Sequence, residues 1–224
     1  MAKRKLKKFA EVSSFANCFF MSFEESRENG LPLKGSWHKE YFKNNNPIVL
    51  ELGCGKGEYT VGLAERYPDR NFIGVDIKGN RIHTGAKAAI DNKMNNVAFV
   101  RTRIDFIEAC FAEDEISEIW ITFPDPQPQQ TRVRKRLTNM MFVNRYKKIM
   151  KDGGIINLKT DSEPFYEYSK EVALENNFKI LDSTNDLYAD VSVRDEALTS
   201  IRTYYEKKFS EKGFKICYLK YELR

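Results

Sequence analysis

Long apolar runs are missing from this 224-residue sequence. No stretch approaches the roughly 20 residues that a membrane-crossing helix requires, and segment 15–23 is short, broken by Asn17 and without a small-residue cleavage pattern. Neither a membrane span nor an export leader is expected. Cysteine is scarce and scattered: Cys18, Cys54, Cys110 and Cys217 form no CxxC pair, which argues against a zinc site and a disulfide framework and fits a reducing cytoplasm. The two histidines, His38 and His83, are isolated, and no Ser, His and Asp spacing suggests an activated nucleophile. Metal-ligand and triad-type chemistry therefore have no residues to carry them, and no internal repeat or low-complexity tract is present.

With 42% hydrophobic and 13% aromatic residues, the chain can bury one sizeable core, which implies a single domain. The formal net charge of +5 is a mild basic bias, but its distribution is uneven. The first ten residues carry Lys3, Arg4, Lys5, Lys7 and Lys8 without an acid, and segment 131–151 carries eight cations, again without an acid. Such runs are either solvated faces or footprints for a polyanion.

Residues 1–45 read as a basic arm with an irregular lead-in, and 46–224 as one folded domain. From Pro47 onward strands and helices alternate, with strands at 48–52, 71–76, 97–101 and 118–123 and helices at 59–67, 80–93 and 105–111. A helix over 139–150, capped by Lys151-Asp152-Gly153-Gly154, precedes a strand at 155–159. After a helix at 163–176, strands at 178–182 and 215–221 lack a short crossover and suit an antiparallel closing pair. This order predicts an α/β fold with a mainly parallel sheet of seven strands, helices on both faces and an antiparallel closing strand.

Glu51-Leu52-Gly53-Cys54-Gly55-Lys56-Gly57 lies directly between a strand and a helix, where Gly53, Gly55 and Gly57 let the backbone turn tightly and approach a ligand. Asp76 ends the next strand, placed to accept the hydroxyl hydrogens of a ribose. A dinucleotide site favours G-x-G-x-x-G, whereas this loop is G-x-G-x-G with Glu51 ahead of it. A carboxylate there would repel a pyrophosphate but suits the sulfonium and ammonium of S-adenosylmethionine. At the carboxyl edge of the fourth strand, Phe123-Pro124-Asp125-Pro126 forms a proline-stiffened turn that fixes the Asp125 carboxylate.

These blocks, together with Lys5-Leu6-Lys7-Lys8-Phe9, Arg134-Lys135-Arg136-Leu137-Thr138, Leu158-Lys159-Thr160-Asp161 and Thr203-Tyr204-Tyr205-Glu206-Lys207-Lys208-Phe209, follow the order found in bacterial tRNA (guanine-N7)-methyltransferases. The chain resembles that family over nearly its whole length. The resemblance implies a Rossmann-like class I methyltransferase that uses S-adenosylmethionine and methylates the variable-loop guanine of tRNA. It implies cofactor contacts at Glu51, Gly53, Gly55, Gly57, Asp76, Arg103 and Asp125, with Asp125 also the catalytic acid. Gln129, Asp161, Thr203, Tyr204, Tyr205 and Glu206 fall at its substrate positions. The sequence departs from the family at Arg103, where an acid is usual, at Gln127, where a Trp is usual, and at Gln129 and Gln130, where lysines are usual.

Guanine N7 holds an in-plane lone pair, so positioning is most of the chemical task. Asp125 and Asp161 are expected to accept from the N1-H and N2 amino edge of the base, Tyr204, Tyr205 or Phe123 to stack on it, and Arg132, Arg134, Lys135 and Arg136 to hold phosphates. The competing readings are a tRNA-binding chain without catalysis and a methyltransferase acting on another nitrogen. The expected partner is tRNA rather than a membrane, with the protein a cytoplasmic monomer or homodimer.

Overall fold

The structure, a computed structural model, describes residues 2–192 and 195–223, with side chains of the first helix described from Leu6 onward. The expected contributions of the Lys3, Arg4 and Lys5 side chains therefore lie outside the described residues. Among the described residues, no helix is long and apolar enough to cross a membrane.

The chain begins with α1 (Ala2–Val12) and β1 (Cys18–Phe20), followed by α2 (Phe23–Glu28) and a wide turn at Trp37–Phe42. Alternation then sets in: β2 (Ile48–Leu52), α3 (Glu58–Arg66), β3 (Asn71–Asp76), α4 (Gly79–Asp91), β4 (Val97–Arg101) and β5 (Ile116–Thr122). The remainder comprises α5 (Met140–Lys147), β6 (Met150–Thr160), α6 (Glu163–Glu175), β7 (Lys179–Thr184), α7 (Ala197–Ser200), α8 (Tyr204–Ser210) and β8 (Cys217–Glu222). Short 3-10 turns at Ile104–Ala109 and Gln130–Lys135 take the place of the helix expected near 105–111 and lead into α5.

The eight strands form one sheet in the order β1-β4-β3-β2-β5-β6-β8-β7, parallel except for β8, which runs antiparallel to both β6 and β7. The chain moves outward from β2 through β3 to β4 and then returns to place β5 on the other side of β2. The connections that leave the carboxyl ends of β2 and β5 therefore run in opposite directions, which opens a crevice at that switch point. One core layer centres on Trp37, Phe111, Tyr146, Phe165 and Tyr221, and the opposite layer on Tyr59, Phe99, Trp120 and Tyr218.

Three local differences from the sequence expectation have physical causes. The eighth strand is β1, within a lead-in that reads as irregular; Asn17, which breaks its apolar run, is buried and satisfied, donating from Nδ2 to the Ala86 carbonyl at 3.0 Å. Upstream, α1 packs on α4 through buried Val12, and Glu11 meets His83 at 3.0 Å. Finally, α5 stops at Lys147 and β6 already begins at Met150, paired with Ile116. Gly153, at φ 70, therefore serves a register shift inside the strand pair rather than a helix cap.

Candidate active site

All five residues of β2 are buried, and the chain leaves the sheet at Gly53, whose N–H donates to the Val75 carbonyl at 2.8 Å, as does that of Cys54 at 3.1 Å. Gly57 closes the loop at φ 70 as the N-cap of α3. A Cβ there would stand 2.6 Å from the Phe99 ring, so glycine is required by both backbone and space. A Cβ on Gly53, in contrast, would meet nothing within 4 Å, because that face of the loop is open.

Two carboxylates brace the loop. Asp76 accepts from the Gly55 N–H at 2.9 Å and the Lys78 N–H at 2.7 Å. Glu51 is buried beneath it, accepting from the Thr60 N–H at 2.8 Å, the Thr60 hydroxyl at 2.5 Å and the Thr122 hydroxyl at 2.6 Å. Burial pushes the Glu51 carboxyl up to about 7 against the pull of those donors. It lines neither of the cavities above the loop and braces the loop from below.

Those cavities form one cleft at the switch point. One lobe, of about 400 Å³, is lined by Gly53, Asp76, Ile77, Arg103 and Asp105 among others. The second, of about 380 Å³, is lined by Gly53, Gly55, Phe123, Asp125, Tyr204 and Tyr205 among others. Gly53, Arg81 and Leu137 belong to both. A more open trough of about 880 Å³ lies beyond Arg103, against α2; its Arg145 is tied to Glu108 at 2.8 Å. The loop and the proline turn do not meet in that trough, so the chemistry belongs to the two-lobed cleft.

The acceptor lobe has two walls. The first is the turn after β5, where Phe123 and Gln127 adopt left-handed backbone at φ 47 and 45, strain that non-glycine residues tolerate only when held. The Phe123 N–H donates to the Lys159 carbonyl at 2.8 Å, the Gln127 N–H donates to Asp125 Oδ1 at 3.1 Å, and Arg136 Nε donates to the Gln127 carbonyl at 3.3 Å. The Asp125 carboxylate is left exposed over the cleft. The second wall is the start of α8. Thr203 caps it by accepting from the Glu206 N–H, Glu58 accepts from the Tyr204 N–H at 3.2 Å, and Lys56 Nζ stands 4.6 Å from the centre of the half-exposed Tyr204 ring.

The expected site residues thus divide. Gly53, Gly55, Asp76, Arg103, Asp125, Thr203, Tyr204 and Tyr205 line the cleft, joined at its rim by Lys135. Arg132 and Arg134 are exposed on the same 3-10 turn, whereas Gln129, also exposed, lines neither lobe. Arg136, expected at a phosphate, is instead buried, with its guanidinium 4.4 Å above the Tyr168 ring. Glu206, expected at a substrate position, lines neither lobe and is fully buried against Lys159. Asp161 is half-buried just past β6 and outside both lobes; burial raises its carboxyl above the usual range.

Arg81, Leu137 and Lys56 line the cleft without having been singled out. Lys56, lying inside the glycine loop itself, carried a sequence signal. Arg81 carried none, because only the docking of α4 beside the loop brings it there.

A sequence family described as "Putative methyltransferase" matches residues 45–219. A tRNA (guanine-N(7)-)-methyltransferase of Christiangramia forsetii is 47% identical over 223 residues, covering 100% of this chain and 99% of the relative. One of Porphyromonas gingivalis is 50% identical over 214 residues, covering 95% and 86%. Among solved structures, the 16S rRNA methyltransferase KamB superposes with a TM-score of 0.61 at 15% identity, over 83% of this chain and 91% of that one, a likeness of fold.

Proposed function

The chain belongs to the tRNA (guanine-N7)-methyltransferase family, and from that premise we propose that it moves a methyl group from S-adenosylmethionine to N7 of a guanine in tRNA, the variable-loop guanine that the sequence resemblance implies. The observation that carries this reading is the continuity of the cleft: the glycine loop and the Asp125 turn open into lobes that share Gly53, Arg81 and Leu137. The proposed compartment is the cytoplasm.

The donor lobe fits the cofactor on three counts. Gly53 presents open space that a side chain would fill. The Asp76 oxygens keep lone pairs for ribose hydroxyls beside the loop amides they already accept from. Glu51, in its ionised form, places negative charge under the loop, and a cationic ligand favours that form. When bound, S-adenosylmethionine supplies an electrophilic methyl group on a sulfonium.

The chain's own contribution is orientation. N7 needs no proton removed before it forms a bond, so Asp125 acts by accepting from the N1-H and N2 amino edge of the base, turning N7 toward the donor lobe. Its negative charge also offsets the positive charge that grows on the purine. The exposed rings of Tyr204 and Tyr205 provide stacking for a base lifted out of folded RNA. Arg132, Arg134 and Lys135 hold phosphates at the rim without reading sequence. Asp161 is a second acceptor only if the RNA reaches past the turn.

The test is incubation with labelled methyl donor and bulk tRNA, followed by nucleoside analysis. Label in 7-methylguanosine supports the reading. Label on another nitrogen, or no label with a donor that binds, overturns it.

A further inference from the structure

Glu206, which the sequence resemblance places among the substrate positions, is paired inside the protein. Lys159 Nζ lies 2.7 Å from Glu206 Oε1, and both side chains are fully buried. Lys159 also donates to the Leu198 carbonyl and stands 5.3 Å from the centre of the Tyr59 ring, while Glu206 Oε1 accepts from the Tyr188 hydroxyl at 2.5 Å. Burial depresses the Lys159 ammonium even with Glu206 beside it. A buried pair of this kind is weak support for stability, because well-packed apolar residues in the same volume commonly do as well or better. What an ion pair supplies that apolar contact does not is one separation and one direction.

That direction is specific here. The main-chain carbonyl of Lys159 accepts from the Phe123 N–H at 2.8 Å, holding the left-handed start of the Asp125 turn. Its side chain, through Glu206 and the Leu198 carbonyl, holds α7 and α8. A single residue thus fastens both walls of the acceptor lobe. Among the other ties of the 185–216 segment, Arg66 with Asp195 and Glu196 is exposed and contributes little. Ile201 packs over Gly62 so closely that a Cβ there would stand 3.0 Å from its Cγ2, but this contact is apolar and carries no hydrogen-bond direction.

We infer that Lys159 and Glu206 are positioning residues that set the spacing between the Asp125 turn and the Tyr204–Tyr205 face, so that the purine is held in line rather than loosely. Neither lines the cleft. The inference rests on the methyl-transfer reading above for its functional consequence, but its structural half stands apart.

The decisive variant is K159M/E206L, which fills the same volume without charge. The expected result is a melting temperature no lower than wild type, donor affinity unchanged within about twofold and kcat/KM for tRNA reduced at least about tenfold, since small misplacements of a reacting base are costly in rate. A double variant that melts normally and keeps wild-type kcat/KM would overturn the inference, because a purely structural pair would be replaced without loss. E206Q keeps shape and hydrogen bonding should the double variant fail to fold. Its amide exchange over 203–210 should rise severalfold while 53–57 stays protected, and unchanged exchange would overturn the inference whatever the activity. Failure of the wild-type enzyme to make 7-methylguanosine would sink the underlying reading alone.

Discussion

The Thr122 hydroxyl donates to the Glu51 carboxylate at 2.6 Å, fastening the strand that launches the Asp125 turn to the strand that launches the glycine loop. The same carboxylate receives both Thr60 donors from α3, so it is a node joining the two lobes of the cleft.

Burial sets the pH behaviour of that node. The Glu51 carboxyl rises from 4.5 to about 7 on folding. Between those values the folded chain keeps a proton that the unfolded chain has released, so stability is full below about 4.5 and is lost as pH rises through 7, by roughly 3 kcal/mol. Glu51→Gln should therefore melt higher than wild type at pH 8 and show a shallower pH dependence. A cationic donor favours the ionised form, so wild-type donor affinity should strengthen from pH 6 to 8 and that of Glu51→Gln should change less. Calorimetry at both pH values checks this; equal slopes would exclude the role.

Asp125→Asn retains an acceptor for the Gln127 N–H and removes the charge. Donor affinity should fall no more than severalfold, from the one cofactor contact the resemblance implies for Asp125, whereas kcat/KM for tRNA should fall about a hundredfold, a loss of about 3 kcal/mol of electrostatic and orienting support. Near-full turnover on tRNA would remove Asp125 from the mechanism.

Much of this site was legible in the residues, because its main parts are local. The glycine loop, Asp76 at the end of the next strand and the two prolines around Asp125 each show in a few consecutive positions. The direction of a side chain is not local. Glu206 follows two tyrosines that do face the cleft, yet the roughly 100° step to the next residue of a helix carries it inward onto Lys159, distant in sequence. Arg136 sits among cations that face solvent, and the Tyr168 ring on α6 draws it in. Similarly, β1 is only three residues long, and its order comes from pairing with β4 and from the Asn17 side chain.

The cations of the 3-10 turn should separate by salt dependence. Replacing Arg132, Arg134 and Lys135 together with alanine should flatten the slope of log affinity for tRNA against log salt by about 2 to 3, one for each exposed charge that meets a phosphate. Arg136→Ala should leave the slope unchanged while lowering the melting temperature and kcat, because it frees the Gln127 carbonyl and the Tyr168 face. The opposite pattern in filter-binding titrations would return Arg136 to the RNA surface.

Gly85→Ala tests how closely the loop must be approached. In a helix interior, alanine is favoured over glycine by about 1 kcal/mol, so propensity alone predicts a more stable protein. A Cβ on Gly85 of α4, however, would stand 2.6 Å from the Lys56 carbonyl oxygen, 2.9 Å from Phe99 Cζ and 3.0 Å from Gly57 Cα. Two of those neighbours are loop backbone and cannot rotate away, so overpacking of about 1–3 kcal/mol outweighs the propensity gain. The melting temperature should fall and donor binding should weaken about tenfold as the loop is pushed off α4. Adding Phe99→Leu relieves the ring contact but leaves the Lys56 carbonyl in place, so it should recover part of the stability and little of the donor affinity. Wild-type donor affinity in Gly85→Ala would mean that the loop tolerates displacement and that its fit to α4 does not shape the donor lobe.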